Sequence, residues 1–207
     1  MNRESFSTAD KILAVNEALS SRAIPYAFGG AIARNYYAEP RLTVDVDLGI
    51  FLPPTDHHRV VEALSSRFPI HDADEVARVI ARDGQVRLQW DATPLDLFFS
   101  YDPFHDSTAS RTRRVPFANA EIPILSAEDV IVHKLLFNRP KDWRDIADIL
   151  YSERGTIDLP YIRQWLSYFF PPDETKREDE EGRLDTRITL FRDLADSIQP
   201  YGGRERE

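Results

Sequence analysis

One stretch of the sequence, YAFGGAIARNYYAEPRLTVDVDLGIFL at residues 26–52, constrains the fold most strongly. Its second half places Asp45 and Asp47 in a run of apolar and β-branched residues. Side chains two residues apart on a strand point to the same face of the sheet. We therefore predict a strand over residues 42–52 in which the two aspartates share one face. The opposite face, which we expect to enter the core, carries Val44, Val46 and Leu48.

Two carboxylates on one strand face repel each other, and a hard cation with oxygen ligands is the usual partner that offsets this repulsion. Magnesium in particular binds through one or two protein carboxylates together with substrate phosphates. Upstream, Gly29 and Gly30 end a short apolar run, and glycine lets the backbone approach a ligand closely. An isolated pair of aspartates or of glycines is a weak signal, but this order and spacing predict chemistry on a nucleoside triphosphate.

These residues, with Arg41 and Thr43 between them, resemble the signature of the DNA polymerase β-type nucleotidyltransferase superfamily. More narrowly, GGAIAR…RLTVDVDL is similar to the AbiEii/MenT-type toxin nucleotidyltransferases, and the similarity covers roughly residues 10–150. The resemblance implies an α+β (α/β) fold with a small mixed β-sheet core, flanking helices and further helices towards the C-terminus. It also implies nucleotide-binding roles for Gly29, Gly30, Arg41 and Thr43.

The resemblance requires a third carboxylate on a neighbouring strand. Asp96 is the candidate, because it is the only charge in the apolar run Leu95–Phe99 and a buried acid is costly unless it is paired or metal-bound. The alternatives are that Asp96 lies on a solvent-facing edge, or that Asp91 takes this role. Two Mg²⁺ ions are then expected on Asp45, Asp47 and Asp96.

A second match lies in SAEDVIVHKLLFNRPKDWRDIADIL, residues 126–150, which resembles the family pattern SxEDLIxxKL…R…KDxxDL. Lys134 matches the family lysine that contacts the triphosphate, and Asp142 and Asp145 match an acidic pair on the closing helix. Three residues apart, these two acids share a helical face, which Asp148 continues. Asp145 is our first choice for the functional acid and Asp142 the second. Two nearby cations are candidate phosphate contacts: Arg139 and Lys141.

The remaining pattern predicts the other elements. Apolar spacing and capping residues indicate helices over 7–23, 31–37, 55–68, 158–170 and 183–198, and strands over 26–30, 86–90 and 121–125. Residues 75–82 fit a short strand or a helix equally well. Residues 102–114 are predicted to be a loop whose arginines contact phosphate or nucleic acid, or belong to a solvated or partner-binding surface: Arg111, Arg113 and Arg114. We predict a core over 1–125, a helical region packed on it over 126–200, and a disordered tail over 201–207.

Composition excludes several classes of function. The formal net charge of −9 disfavours a general nucleic-acid coat protein, and the absence of cysteine rules out disulfides and thiolate zinc sites. The adjacent His57 and His58 are expected on the surface of a helix, because neighbours on a helix point in different directions. No leader or membrane-spanning segment is expected, so we predict a cytoplasmic protein without a membrane partner.

We therefore predict an Mg²⁺-dependent enzyme that moves a nucleoside monophosphate from an NTP to a hydroxyl acceptor. The resemblance implies a toxin of a toxin–antitoxin system that acts on the tRNA 3′ end, and the alternatives are a protein acceptor such as a cognate antitoxin, or a small molecule such as an aminoglycoside. Cations that could guide an RNA end are Arg34, Arg41, Lys141, Arg144 and the arginines at 111–114. An inert nucleotide-binding or antitoxin-partner module is the competing class. A phosphohydrolase is disfavoured, because no histidines have HxH or HxxxH spacing.

Overall fold

The computed structural model describes residues 6–171 and 178–198, with side chains described for 6–171 and 187–198. By its internal contacts the chain divides into two units. The first comprises the described residues up to Ala33 together with Arg41–Ser126. The second comprises Arg34–Pro40 together with the described residues from Ala127 onwards.

The first unit is built on a mixed β-sheet. Its strands within the described residues are β1 (Tyr26–Phe28), β2 (Val46–Ile50), β3 (Gln85–Trp90), β4 (Thr93–Phe99), β5 (Arg113–Phe117) and β6 (Ala120–Ile124). They lie in the order β3-β4-β2-β1-β6-β5. Parallel pairs β2/β4 and β1/β6 alternate with antiparallel pairs, and the antiparallel hairpins β3/β4 and β5/β6 form the two ends. The predicted α+β class with a small mixed sheet is confirmed.

Helices connect the strands and make up the second unit. The described helices are α1 (Thr8–Ser20), α2 (Gly30–Arg34), α3 (His57–Ser65), α4 (Ala73–Asp83), α5 (Pro103–Ser110), α6 (Ala127–Phe137), α7 (Pro140–Ser152), α8 (Leu159–Phe169) and α9 (Glu178–Ile198). A 3₁₀ turn, Pro54–Asp56, leads into α3. In the described part of the chain, no helix is both long enough and apolar enough to cross a membrane.

Helix α1 begins at a reciprocal cap and is fastened to the sheet by a buried lysine. The Ser7 hydroxyl accepts from the Asp10 amide, and the Asp10 carboxylate accepts from the Ser7 amide. The ammonium of Lys11, which sequence reasoning did not single out, donates to the Trp90 carbonyl at 2.9 Å and to the Thr93 hydroxyl at 3.1 Å. Both partners lie in the β3–β4 hairpin, about 80 residues along the chain, so no local pattern could indicate this contact.

The strand predicted over residues 42–52 is shorter than expected. It starts at Val46, where the pairing with β4 begins. Val44 is 65% exposed and Leu42 is 98% exposed, so the prediction that Val44 enters the core is wrong. The physical reason is that no described strand pairs with residues 42–45. β-branched residues in an extended segment are stabilised by packing against cross-strand neighbours, and this segment has no described strand beside it.

The prediction of a loop over residues 102–114 is also wrong. Residues Pro103–Ser110 form α5, whose first amides are capped by the Asp102 carboxylate, and β5 starts at Arg113. An Asp followed by Pro is an N-cap and first-turn pair, and this signal was overlooked because the helix is short and polar. The undecided segment 75–82 belongs to α4, which is capped at its C-terminal end by Gly84 with a φ of +66°.

The predicted helices of the second unit are present. Helices α6 and α7 pack together, as do α6 and α8, and α7 contacts α9. Ile162 and Leu166 of α8 and Phe191 of α9 are buried. Helix α9 begins at Glu178, five residues earlier than predicted. The predicted tail and the side chain of Leu184 lie outside the described residues.

Candidate functional site

Strand register brings two of the predicted carboxylates together. Strands β2 and β4 run parallel, and Asp47 lies directly opposite Asp96 in the ladder. Neighbouring strands are about 4.8 Å apart, so side chains at paired positions on one face are adjacent. Both aspartates are half-buried and alternate with fully buried apolar residues. The structure thus brings together two acids that are 49 positions apart in the sequence.

Asp45, the third predicted acid, lies immediately before β2. It alternates with Asp47 across the buried Val46 and is half-buried. Its carbonyl accepts a hydrogen bond of 3.2 Å from the Thr43 hydroxyl. Thr43 therefore shapes the backbone that leads into the acidic pair, and Arg41 lies exposed two residues further upstream.

The Gly29-Gly30 turn closes against Asp47. The Gly29 amide donates to the Asp47 carbonyl at 2.9 Å, which extends the pairing of β1 with β2. Gly30 has a φ of +50°, and a Cβ there would stand only 2.5 Å from the Asp47 carboxyl carbon. Only glycine fits, because any side chain at position 30 would occupy the space of the Asp47 carboxylate. The glycine pair and the acidic pair are one local structure.

Arg87 is a residue of this site that sequence reasoning missed. It lies opposite Asp96 on β3 and donates to both carboxylate oxygens, with distances of 2.7 Å from Nε and 2.6 Å from Nη2. These hydrogen bonds, followed by the charges of Asp96, Asp45 and Asp47, raise the pKa of the Arg87 guanidinium above its usual value. One cation therefore interacts with all three acids. The sequence signal for Arg87 was its position between two apolar residues in the alternating pattern of β3. Only the apolar residues of that pattern were interpreted.

The three acids supply oxygen donors only, which suits a hard divalent cation. In the described part of the chain, however, no three His, Asp or Glu side chains are grouped closely enough to hold a metal ion. Both oxygens of Asp96 accept hydrogen bonds from Arg87. The donor chemistry therefore fits Mg²⁺, while the arrangement is that of an acidic cluster balanced by an internal cation.

The second unit contains the predicted residues Lys134, Asp142 and Asp145. Lys134 lies on α6 and is only 6% exposed, whereas a lysine in mid-helix is usually on the surface. Its ammonium donates to Asp145 at 2.6 Å and lies 3.6 Å from Asp142. Both acids lie on α7 and are buried, and Arg139 forms a two-pronged hydrogen bond to Asp142 at 2.7 and 3.1 Å.

Arg34 also contacts Asp145, so that Lys134, Asp145 and Arg34 form a row of buried charges. It is 2% exposed, and its guanidinium lies 3.3 Å from Asp145 and 2.5 Å from Asp148 while also donating to the Glu39 carbonyl. The prediction that Arg34 guides an RNA end is wrong, because a guanidinium that is only 2% exposed cannot contact RNA. Cations and anions alternate along this row, an arrangement that offsets the cost of burying each charge.

The neighbouring cations lower the pKa of the Asp142 carboxyl. Burial alone would raise the pKa of its carboxyl, but the hydrogen bonds from Arg139 and the charges of Lys134 and Arg139 hold that pKa below its usual value. The carboxylate is therefore the form that the folded protein favours.

The remaining candidates are dispersed. Asp91 sits at the turn of the β3–β4 hairpin with a φ of +52°, where it lies 3.5 Å from the Lys11 ammonium rather than beside Asp47. Lys141 and Arg144 are exposed on α7, and Arg113 and Arg114 are exposed on β5. Arg111 is half-buried just after α5, and His58 is exposed on α3.

Comparison with known proteins agrees with the geometry. The family described as "Nucleotidyl transferase AbiEii toxin, Type IV TA system" matches residues 11–200. The chain belongs to the AbiEii nucleotidyltransferase toxin family. As an AbiEii-family member it is a nucleotidyltransferase, and the resemblance inferred from the glycine and aspartate motifs is confirmed. No curated protein matches the chain.

Three solved structures are similar to this AbiEii-family chain. An antigenic nucleotidyltransferase-like protein from Paracoccidioides brasiliensis has 16% identity and a TM-score of 0.42, covering 86% of this chain and 92% of its own. ANT(2″)-Ia in complex with adenylyl-2″-tobramycin has 12% identity and a TM-score of 0.48, with coverage of 91% and 98%. JHP933 from Helicobacter pylori has 16% identity and a TM-score of 0.44, with coverage of 93% and 96%. At these TM-scores the structures add nothing to the family assignment.

The contact between Gly30 and Asp47 predicts a large cost for a single added methyl group. Gly30→Ala should lower the free energy of unfolding by about 2–5 kcal/mol, from left-handed backbone strain plus overlap with the carboxylate. Gly155→Ala is the matched control: its φ is +84° but nothing lies within 4 Å of an added Cβ, so it should cost only the strain of about 1–2 kcal/mol. Urea unfolding measures both. Equal losses would contradict the close approach.

The lowered pKa of Asp142 predicts a specific pH dependence of stability. A carboxyl whose pKa is depressed by folding contributes stability above its unfolded pKa of about 3.9, and this is lost as pH falls through the folded value. Asp142→Asn should therefore cost of the order of 3 kcal/mol near pH 7, and the gap to wild type should shrink below about pH 4.

Urea unfolding between pH 3 and pH 7 measures this gap. The control is Asp83→Asn, which removes an exposed partner of Arg82 whose contribution salt should largely screen. A gap for Asp142→Asn that is the same at pH 3 as at pH 7 would contradict the role of the charge.

Proposed function

We propose that this AbiEii-family protein transfers a nucleoside monophosphate from an NTP in an Mg²⁺-dependent reaction, with Asp45, Asp47 and Asp96 as the metal-binding and catalytic acids. One observation carries this proposal: Asp47 lies opposite Asp96 in adjoining strands while the Gly29-Gly30 turn closes on Asp47. Two acids of different strands beside a backbone turn without side chains suit a metal-bound triphosphate better than they suit a structural core.

In this proposal each part of the chain has a defined task. Bound Mg²⁺ would lower the pKa of the attacking hydroxyl and neutralise charge on the leaving pyrophosphate. Asp47 is positioned by β2, Asp45 by the segment immediately before it, and Asp96 by β4. The Gly29-Gly30 turn, whose backbone closes on Asp47, would lie beside the nucleotide phosphates. Positioning and charge neutralisation of this kind account for most catalysis at phosphorus.

The proposal assigns nucleotide-binding roles to Arg41 and Thr43 before β2 and to Lys134 on α6. The support for Lys134 is its place in the family pattern and its burial with Asp145, which holds the ammonium at one position. Asp145 is then the functional acid of α7, and Asp142 keeps Lys134 and Arg139 in place.

For the acceptor we propose the hydroxyl at the 3′ end of tRNA, in the cytoplasm, as the activity of a toxin that an antitoxin opposes. The matched family is described as a toxin of type IV toxin–antitoxin systems, and the exposed cations Lys141 and Arg144 on α7 could contact an RNA backbone. A protein acceptor, such as the antitoxin, or a small molecule such as an aminoglycoside is the alternative that the acceptor experiment must separate.

Removing one strand carboxylate tests the reaction. Asp45→Ala should reduce pyrophosphate release from NTP by at least about 10²-fold, because a metal ligand on the reacting phosphate is lost. The matched control is Asp74→Ala, an exposed acid in the first turn of α4, which should retain wild-type activity. Circular dichroism checks that both variants are folded. A wild-type rate for Asp45→Ala would refute the assignment. NTP binding without any pyrophosphate release from the wild type would instead favour an inert module.

The acceptor is tested with NTPs labelled at the α-phosphate and three mixtures: total tRNA, tRNA whose terminal ribose has been oxidised with periodate, and cell lysate freed of RNA. Label should enter intact tRNA and not the oxidised tRNA, because oxidation destroys the 3′ hydroxyl. Label confined to protein or to small molecules in the lysate would contradict the tRNA proposal and leave nucleotidyl transfer intact.

A further inference from the structure

Asp96 stands between an acid and a base in the plane of the sheet. Its partner on β2 is Asp47, and its partner on β3 is Arg87. One row of the ladder across these three neighbouring strands therefore holds an acid, a second acid and a base, in that order. In the structure the middle residue is fully committed to the base, since both carboxylate oxygens accept from the guanidinium.

This pair and a bound divalent cation make competing demands on Asp96. A two-pronged guanidinium contact uses both oxygens in a fixed plane, whereas a metal ion needs a carboxylate oxygen free to coordinate it. A positive charge at the same carboxylate also repels an incoming cation. Because Arg87 interacts with Asp45 and Asp47 as well, its charge weakens cation binding across the whole cluster.

The pair is also built so that it can open. The Arg87 side chain is 62% exposed, whereas that of Asp96 is 16% exposed. The guanidinium can therefore leave for solvent while Asp96 stays in the strand. Exposed ion pairs contribute only a factor of roughly 1.5–5 to an equilibrium constant, which a metal ion shared by several carboxylates can exceed.

We propose that Arg87 competes with the divalent cation for Asp96, so that loading the metal requires the Arg87–Asp96 pair to open. The proposal rests on the metal site of the proposed function and assigns that site a regulator within the chain. Without metal, Arg87 offsets the repulsion among the acids. With metal, it is displaced and the carboxylate becomes a ligand. Arg87 is thus a positioning residue that sets the metal affinity.

The competing explanation is that Arg87 and Asp96 form an ordinary cross-strand pair that only stabilises the hairpin. In that case, losing Arg87 would lower the stability of the protein and leave metal affinity unchanged. Metal affinity, measured without turnover, therefore separates the two explanations.

The test measures Mn²⁺ binding to the full chain by electron paramagnetic resonance of the free ion. Arg87→Gln should bind Mn²⁺ about two- to fivefold more tightly than wild type, because the competing pair is lost. Arg87→Lys should fall between them, since lysine keeps the charge but not the two-pronged geometry. The matched control is Arg82→Gln: Arg82 makes the same exposed contact, 2.7 Å to each oxygen of Asp83, and its loss should leave Mn²⁺ affinity at the wild-type value.

Asp47→Asn shows whether the measured ion occupies the acidic cluster, and it should weaken binding at least about tenfold. If it does so while Arg87→Gln matches wild type, the competition proposal is overturned and the proposed function stands. Equal affinities for Arg87→Lys and wild type would overturn the requirement that the two-pronged pair opens, because the positive charge alone would then account for the weaker binding. If wild type binds no Mn²⁺, or Asp47→Asn binds it as well as wild type, the metal site of the proposed function fails and the competition fails with it.

Discussion

The pairing of Asp47 with Asp96 across two parallel strands is the constraint on which the rest of the site depends. Carboxylates at neighbouring ladder positions repel each other, and like charges directly across a sheet are destabilising. A sequence that folds this way must supply a counter-charge. Arg87 provides a counter-charge from the next strand along, and a divalent cation bound with a nucleotide is the one the proposed function requires. The repulsion between these two acids therefore explains both the position of Arg87 beside them and the cation that the proposed chemistry requires.

A second feature of the first unit is a close contact between a backbone turn and a carboxylate. The Gly30 backbone lies so near the Asp47 carboxylate that no side chain fits there. This contact limits the positions that Asp47 can take. The second unit solves its electrostatic problem differently, by burying alternating charges in a row that includes Arg34, Asp145 and Lys134. In both units ionic groups are held by specific partners.

The sequence predicted the parts of this account that depend on short-range periodicity. Alternation along 46–50 identified the two faces of β2, and the single charge in Leu95–Phe99 identified Asp96 on its neighbour. The length of β2 could not be predicted in this way, because a strand ends where its partners end, and Val44 was misplaced for that reason. The helix α5 was missed although Asp102-Pro103 is a capping signal, since its polar composition lacks an apolar stripe.

Contacts between distant segments explain the other omissions. Lys11 is buried because it meets backbone and hydroxyl acceptors of a hairpin about 80 residues away, and Arg34 is buried because α7 brings acids to it. Arg87 depends on hairpin register, which places it opposite Asp96 rather than beside another residue of β4. A single sequence indicates which residues carry charge, but only the fold shows which charges meet.

The most direct test of this account is anomalous diffraction from crystals of the protein soaked with Mn²⁺ and a non-hydrolysable NTP analogue. The account predicts a strong anomalous peak within coordination distance of the Asp47 and Asp96 carboxylates, with the triphosphate against the Gly29-Gly30 turn and the Arg87 guanidinium withdrawn from Asp96. A nucleotide bound elsewhere, or an ordered nucleotide with no peak at these carboxylates, would contradict it.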